Sequence, residues 1–399
     1  MPLQLARAVR SSLQPEEGFF QRMQRHCQLP AIRCLPVGKS SKVGANEDVV
    51  KCLSGDVNLL CAQICQDDCA DLSDIREASS QEVINQVSCD VQKQLSTVLD
   101  VITDVTADRG ERTACQKHTQ GEAVELLENF IALDLPVQLL IDLPVLQFEA
   151  RKDVMNICCA LLWPGMPQQL RRQVLGYVKH HPRVFSVLVK GYGNTEVALQ
   201  YGVVLRSYMR HAELVEAFLE SHLIFDLLHH ARNPSIDISA DAIFTLREVL
   251  LEHKEVSAAW LEANFRQFFA AFNGLLDSGD YLLQRQALTL MSSMFLDRHF
   301  KKVMVTYVND DMNLRIHMNL LLSPSRVLRY DAFQVFKVFA ANPQKPRRVH
   351  LILFKNKQGL VKILEGIQSP RADDERLSGD LRTVIERLGA LGPRPAVPL

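Results

Sequence analysis

The second half of the chain repeats itself. Ala242-Ile243-Phe244-Thr245-Leu246, Ala287-Leu288-Thr289-Leu290-Met291 and Ala332-Phe333-Gln334-Val335-Phe336 are similar segments whose first residues stand 45 apart. A period of roughly 40 to 47 residues is the length of an armadillo or HEAT unit, two or three helices that cannot bury their apolar face alone and so stack on their neighbours. Leu288, Met291 and Phe295 fall at i, i+3 and i+7, as do Ala332, Val335 and Phe339, which places each set on one helical stripe, while Gln334 and Lys337 fall off it. Turn-forming runs interrupt the apolar pattern at Asn233-Pro234-Ser235, Asp277-Ser278-Gly279-Asp280, Ser323-Pro324-Ser325 and Ser369-Pro370. His253, His299 and Asn342-Pro343 punctuate the ends of the central helices, and the two histidines are expected at helix C-termini, against the negative end of the dipole. The fold expected is all-α: an armadillo/HEAT-like helical-repeat solenoid, a curved rod whose business is to hold other proteins.

The rest of the chain agrees with that class. In 399 residues there are only 18 Gly and 17 Pro, and no long alternation of β-branched residues marks a strand. A formal charge of −1 argues against nucleic acid as a partner, because proteins that bind its backbone carry a basic excess. The basic stretch Lys345, Arg347, Arg348, His350, Lys355 and Lys357 reads first as a solvated helix face. No apolar run reaches the roughly 18 to 20 residues that span a bilayer. Ten cysteines without a secretory signal fit a reducing compartment, where thiols persist as small apolar residues. Cys61, Cys65 and Cys69 share one helix face at i, i+4 and i+8, but structural zinc draws paired ligands from turns at Cys-x-x-Cys spacing, so they read as packing.

Residues 1–34 carry Arg7, Arg10, Arg22, Arg25 and Arg33 against Glu16 and Glu17, a composition with a trace of a mitochondrial presequence; a disordered extension is the expectation preferred. The solenoid is expected over residues 35–391, with 392–399 a flexible tail.

Motifs of catalysis fail on inspection. Gly38-Lys39-Ser40 has Arg33 where the first Gly of a phosphate loop must stand, so the cradle of backbone N–H groups is missing. Gly191-Tyr192-Gly193 has Glu196 in place of the third Gly of a dinucleotide fingerprint and stands between helical segments. There is no G-x-S-x-G elbow or H-E-x-x-H pair, and Asn309-Asp310-Asp311 lacks the Gly and terminal carboxylate of a calcium loop. His211 with Glu213 is an ordinary helix-surface pairing. No catalytic residue, cofactor or metal site is expected.

The stretch Phe148-Glu149-Ala150-Arg151-Lys152-Asp153-Val154, then Lys190-Gly191-Tyr192 with Glu196-Val197-Ala198-Leu199, then Asp237-Ile238-Ser239-Ala240-Asp241-Ala242, resembles the calcium-binding protein 39 (mouse protein 25) family. So do Arg285-Gln286, Leu296-Asp297-Arg298-His299, Met318-Asn319-Leu320-Leu321 and, above all, Ala332-Phe333-Gln334-Val335-Phe336-Lys337-Val338-Phe339 followed by Ala341-Asn342-Pro343. The resemblance runs from about Leu35 to Leu388, with Val37-Gly38-Lys39-Ser40 resembling the family's chain start.

What the resemblance implies is a cytoplasmic, non-catalytic scaffold, a monomer on its own, that binds and allosterically activates protein kinases of the sterile-twenty-like type or pseudokinase–kinase complexes in intracellular signalling. Fungal relatives imply polarity and cell separation, and a tethering adaptor at a cytoskeletal or flagellar site is the alternative. Carried over, the concave face that grips a kinase near its regulatory αC helix would include Tyr281, Arg285 and Arg298. A pocket for a Trp-Glu-Phe C-terminal peptide would include Arg315, Met318 and Lys355: a flexible Met shapes an apolar slot and a cation meets the carboxylate. Ile236 and Lys301 depart from the family's aromatics at their positions, although Phe300, beside Lys301, is expected to be able to fill the same space.

Overall fold

The computed structural model describes residues 45–67, 74–106, 120–367 and 375–393. Every regular element among them is helical. Residues 1–34, Cys69, the Ser369-Pro370 break and residues 394–399 lie outside that description, as does the side chain of Cys65. The helices gather into two compact units, one running to His230 and the other from Ala231.

The first unit holds α1 (Ala45–Asp67), α2 (Asp74–Thr106), α3 (Gln120–Ala132), α4 (Leu135–Ile141), α5 (Phe148–Ala160), α6 (Gln168–His180), α7 (Arg183–Lys190), α8 (Ala198–Tyr208), α9 (Ala212–Glu220) and α10 (Ile224–His230). Helix α1 pairs with α2, α2 packs on α5, and α5 on α8. Residues that carried the family resemblance act here as staples. Arg151, at the second turn of α5, donates from Nε to the Leu146 carbonyl at 2.7 Å and from its terminal nitrogen to the Pro144 carbonyl at 2.7 Å and Glu196 at 3.1 Å. It thereby fixes the 3-10 turn Leu143–Val145 and ties it to the segment before α8. Asp153 accepts from Gln92 at 2.6 Å and Ser96 at 3.1 Å, joining α5 to α2. At Gly191 the backbone lies directly on the Tyr201 ring, so close that a Cβ would come within 2.1 Å of it. The glycine that fails as a nucleotide motif is a packing requirement.

The second unit contains the repeat. Helices α11 (Ile236–Leu251), α14 (Tyr281–Leu296) and α17 (Arg326–Ala341) are each 16 residues long and begin 45 residues apart. Between them lie α12 (Lys254–Ala263), α13 (Phe265–Leu276), α15 (Lys301–Val308) and α16 (Asp311–Leu321); α18 (Arg347–Glu365) and α19 (Glu375–Gly389) follow. Helix α11 packs on α14, α14 on α17 and α17 on α19.

Three of the four predicted breaks are turns with one shared hydrogen bond. The side-chain oxygens of Asn233, Ser278 and Ser323 accept from the backbone N–H two residues on, at 2.9, 3.2 and 3.2 Å. Asp280 and Ser325 then cap α14 and α17 by accepting from Leu283 and Leu328. Pro234 and Pro324 take the central place in two of the turns; in the third it is Gly279, whose φ of 75° no proline can adopt.

The expected stripes are buried: Leu288, Met291, Ala332, Val335 and Phe339 at 0 %, and Phe295 at 5 %. Two expectations are corrected. Gln334 and Lys337, off the stripe, are also buried, at 7 % each, because α19 covers that second face of α17. Lys337 Nζ sits 2.7 Å from Asp380 of α19 and 2.7 Å from Gln334 Oε1. The histidines are not helix C-termini either: α11 ends at Leu251 and α14 at Leu296, so His253 is the N-cap residue of α12 and His299 lies in the 3-10 turn Arg298–Phe300.

Candidate functional site

Helix α14 starts at Asp280, whose carboxylate accepts from the Leu283 N–H at 2.8 Å. That cap sets Tyr281 and Leu282 at the helix's exposed first turn, 45 % and 39 % accessible. One turn on, Arg285 reaches the next repeat: its Nε lies 3.2 Å from Asp331 Oδ2 on α17. The Arg285 side chain is 34 % exposed and that of Asp331 16 %, so the pair is half-buried between the helices.

Arg298 is exposed in the turn after α14. Asp297 builds that turn, accepting from the His299 N–H at 3.0 Å, the His299 ring at 2.7 Å and Lys254 Nζ at 2.8 Å. Burial pushes the Asp297 carboxyl up, but these donors, the His299 N–H and Lys254 foremost, outweigh it and hold its pKa at about 2. Asp297 is therefore a carboxylate at neutral pH and fastens α12 to the turn. Ile236, one repeat before Tyr281, stands 66 % exposed at the first position of α11. Lys301 is exposed at the start of α15, whereas Phe300 is fully buried at 0 %. The expectation that Phe300 fills the aromatic's place at the surface is thus overturned: the 3-10 turn aims it into the core.

The candidate peptide pocket draws on two helices that pack together, α16 and α18. Arg315 and Met318 lie three residues apart on α16, the first exposed and the second half-buried; Lys355 is exposed on α18. Met312, at 62 %, and Leu351, at 46 %, add exposed apolar surface on the same two helices. Asp311 holds a carboxylate oxygen 3.7 Å from Arg315 and another 3.9 Å from Arg348 of α18, bridging the helices electrostatically.

Beneath this surface α16 is anchored by a polar cluster. His317, at 0 % exposure, meets the Tyr307 hydroxyl at 3.1 Å. Tyr307 donates to Asn273 Oδ1 at 2.9 Å, Asn273 donates to Asn313 at 2.8 Å, and Asn313 returns a bond to the Tyr307 carbonyl at 3.0 Å. Burial alone lowers the His317 pKa to about 3, so the ring is neutral at physiological pH.

Sequence reasoning missed Asp297 and Asp331. Their signal was available: Lys254–Asp297 and Arg285–Asp331 are separated by 43 and 46 residues, close to one repeat, as opposite charges on stacked helices should be. Among the described residues no group of His, Cys, Asp or Glu is arranged to hold a metal ion, and no helix is long and apolar enough to cross a membrane.

A protein-family model described as Mo25-like matches residues 61–392. The degreening-related gene dee76 protein of Auxenochlorella protothecoides is 35 % identical over 301 residues, covering 75 % of this chain and 92 % of that protein. The human calcium-binding protein 39-like protein is 34 % identical over 280 residues, 68 % of this chain and 81 % of the relative. The Mo25-like protein of Schizosaccharomyces pombe is 35 % identical over 258 residues, 65 % and 78 % of the two chains. Repeat, turn chemistry and sequence similarity agree, and the chain belongs to the Mo25-like family.

Proposed function

We propose that this protein is a non-catalytic cytoplasmic scaffold that binds protein kinases and activates them allosterically. The carrying observation is the edge of α14, where exposed Tyr281, Asp331-oriented Arg285 and Arg298, on its Asp297-built turn, come from one repeat. An amphipathic aromatic with guanidinium groups suits the centre of a protein interface, where each side chain combines apolar area with directed hydrogen bonds. Activation follows from differential affinity: a surface that binds the active arrangement of a kinase better than the inactive one shifts the population by that difference and no more. Arg315, Met318 and Lys355 would hold a partner's Trp-Glu-Phe tail, giving two-point attachment.

The test is add-back. Kinases recovered with the purified protein are expected to rise in specific activity when it is supplied; tight binding with unchanged activity would reduce the role to tethering. The exposed Ile236 and the replacement of a surface aromatic by Lys301 alter the rim of this surface, so partner choice is expected to differ from that of relatives with aromatics there.

A further inference from the structure

Helix α18 has a partner on each side. It packs against α16, which carries Arg315 and Met318, and against α19. After α19 the chain returns across α18 in a short strap. The carbonyls of Leu391 and Gly392, adjacent in sequence, accept from Lys357 Nζ at 3.2 Å and His350 Nε2 at 2.9 Å. Between these donors lies Phe354: the His350 ring stacks on it at 6.4 Å with planes 10° apart, and Lys357 Nζ stands 5.1 Å from its centroid. His350, Phe354 and Lys357 recur at i, i+4 and i+7, one stripe of α18, and the strap crosses that stripe.

The same terminal element is fastened at two more points. Lys337 Nζ meets Asp380 at 2.7 Å, and Arg387 donates to the carbonyl of Ala341, the last residue of α17, at 2.8 Å. Side chains from α17 and α18 thus engage the chain at Asp380, Leu391 and Gly392, while Arg387 reaches back from α19. Gly392, the first residue of the tail expected to be flexible, is one of the residues held.

From this geometry we infer that α19 and the strap Leu391–Pro393 form an intramolecular latch on α18, and that the latch regulates the peptide site by fixing the wall that carries Lys355. The regulatory half rests on the peptide-pocket reading above; the latch itself does not. The strap is held by two side-chain bonds to a three-residue segment. Its release leaves α18 packed on α16 and α19 but uncovered along the His350, Phe354 and Lys357 stripe, and a wall that must be ordered at binding costs affinity that a pre-ordered one does not.

The experiment uses the full-length chain, a His350→Phe/Lys357→Met variant that keeps the stacked ring while removing both donors, and a second variant ending at Ala390. Hydrogen exchange is followed for the amides of α18, with α11 as the control for global stability, and a peptide ending in Trp-Glu-Phe is titrated into each protein. Exchange in the strapped part of α18 is expected to quicken by about fivefold, the size of a lost hydrogen bond, with α11 unchanged, and peptide affinity to fall by about the same factor. Unchanged exchange in both variants overturns the latch. Faster exchange with undiminished affinity overturns its regulatory role. Failure of the full-length protein to bind the peptide removes the pocket reading, and the regulation with it, before any residue is altered, while exchange alone still decides the latch.

Discussion

Arg285 and Asp331, 46 residues apart in the chain, meet across α14 and α17 with Nε 3.2 Å from Oδ2. The contact makes Arg285 both a brace between repeats and a member of the proposed kinase surface. The two roles separate by substitution. Arg285→Ala is expected to abolish kinase binding, whereas Asp331→Asn, which leaves the cation in place, weakens it only modestly. In a double-mutant cycle on stability the pair should couple by about 0.5–1 kcal/mol, the range of a partly exposed ion pair. Wild-type kinase affinity in Arg285→Ala would move the contact to another surface.

Met318→Ala tests the pocket. Truncating an anchor contact is expected to weaken a Trp-Glu-Phe-ended peptide by more than about 1 kcal/mol, read by titration calorimetry. Folding should survive because Met318 is only half-buried. Equal affinities would leave Met318 a packing residue.

His317 makes stability depend on pH. Its folded pKa of about 3 lies below the ordinary histidine value, so the unfolded chain takes up the proton first and stability falls as pH drops through roughly 6.5 toward 3. Urea unfolding should show a loss of about 1.4 kcal/mol between pH 7.5 and 5.5 from this residue, following the linkage of one pKa unit to about 1.36 kcal/mol. His317→Phe should remove that component whatever its effect at neutral pH. A variant whose profile runs parallel to the parent's would place the dependence elsewhere.

Gly191→Ala sets a methyl group against a ring that has no room to retreat. Tyr201 is 2 % exposed and its hydroxyl is held on the Leu140 carbonyl at 2.7 Å. Chemical denaturation should report a loss of about 2–3 kcal/mol, as for overpacking in a filled core. Gly193, two residues on, has nothing within 4 Å of the place a Cβ would take, and Gly193→Ala is expected to be far milder.

Lys337→Ala strands Asp380 beside a buried face. A loss of roughly 3 kcal/mol is expected, as when one partner of a buried pair is removed, and Lys337→Met with Asp380→Leu should regain much of it because apolar replacement spares both desolvation costs. A near-neutral Lys337→Ala, measured by urea unfolding, would show that the pair contributes little.

The repeat was legible because its period, its apolar stripes and its Pro, Gly and Ser breaks are all local signals, and α11, α14 and α17 begin where those breaks end. What escaped is which faces of a helix its neighbours cover. Gln334 and Lys337 look like surface residues until α19 is laid over them, although the Ser369-Pro370 break, about one period after Ser323-Pro324-Ser325, announces a helix in that place. His253 and His299 misled because a single histidine fits either end of a helix, and only the Leu251 and Leu296 termini settle which. At the candidate site, family likeness proposes Tyr281, Arg285 and Arg298, but not the pairs Arg285–Asp331 and Lys254–Asp297, whose members lie about one repeat apart in sequence.

Helix α17 is buried without interruption from Ala332 to Ala340, covered on one flank by α14 and on another by α19. A stack of like units carries an inherent hazard, since the face that receives the next copy will also receive the first copy of another molecule, and such head-to-tail contacts do not close on themselves. By occupying the flank of α17 about one period on, α19 keeps that face from the first copy of another molecule.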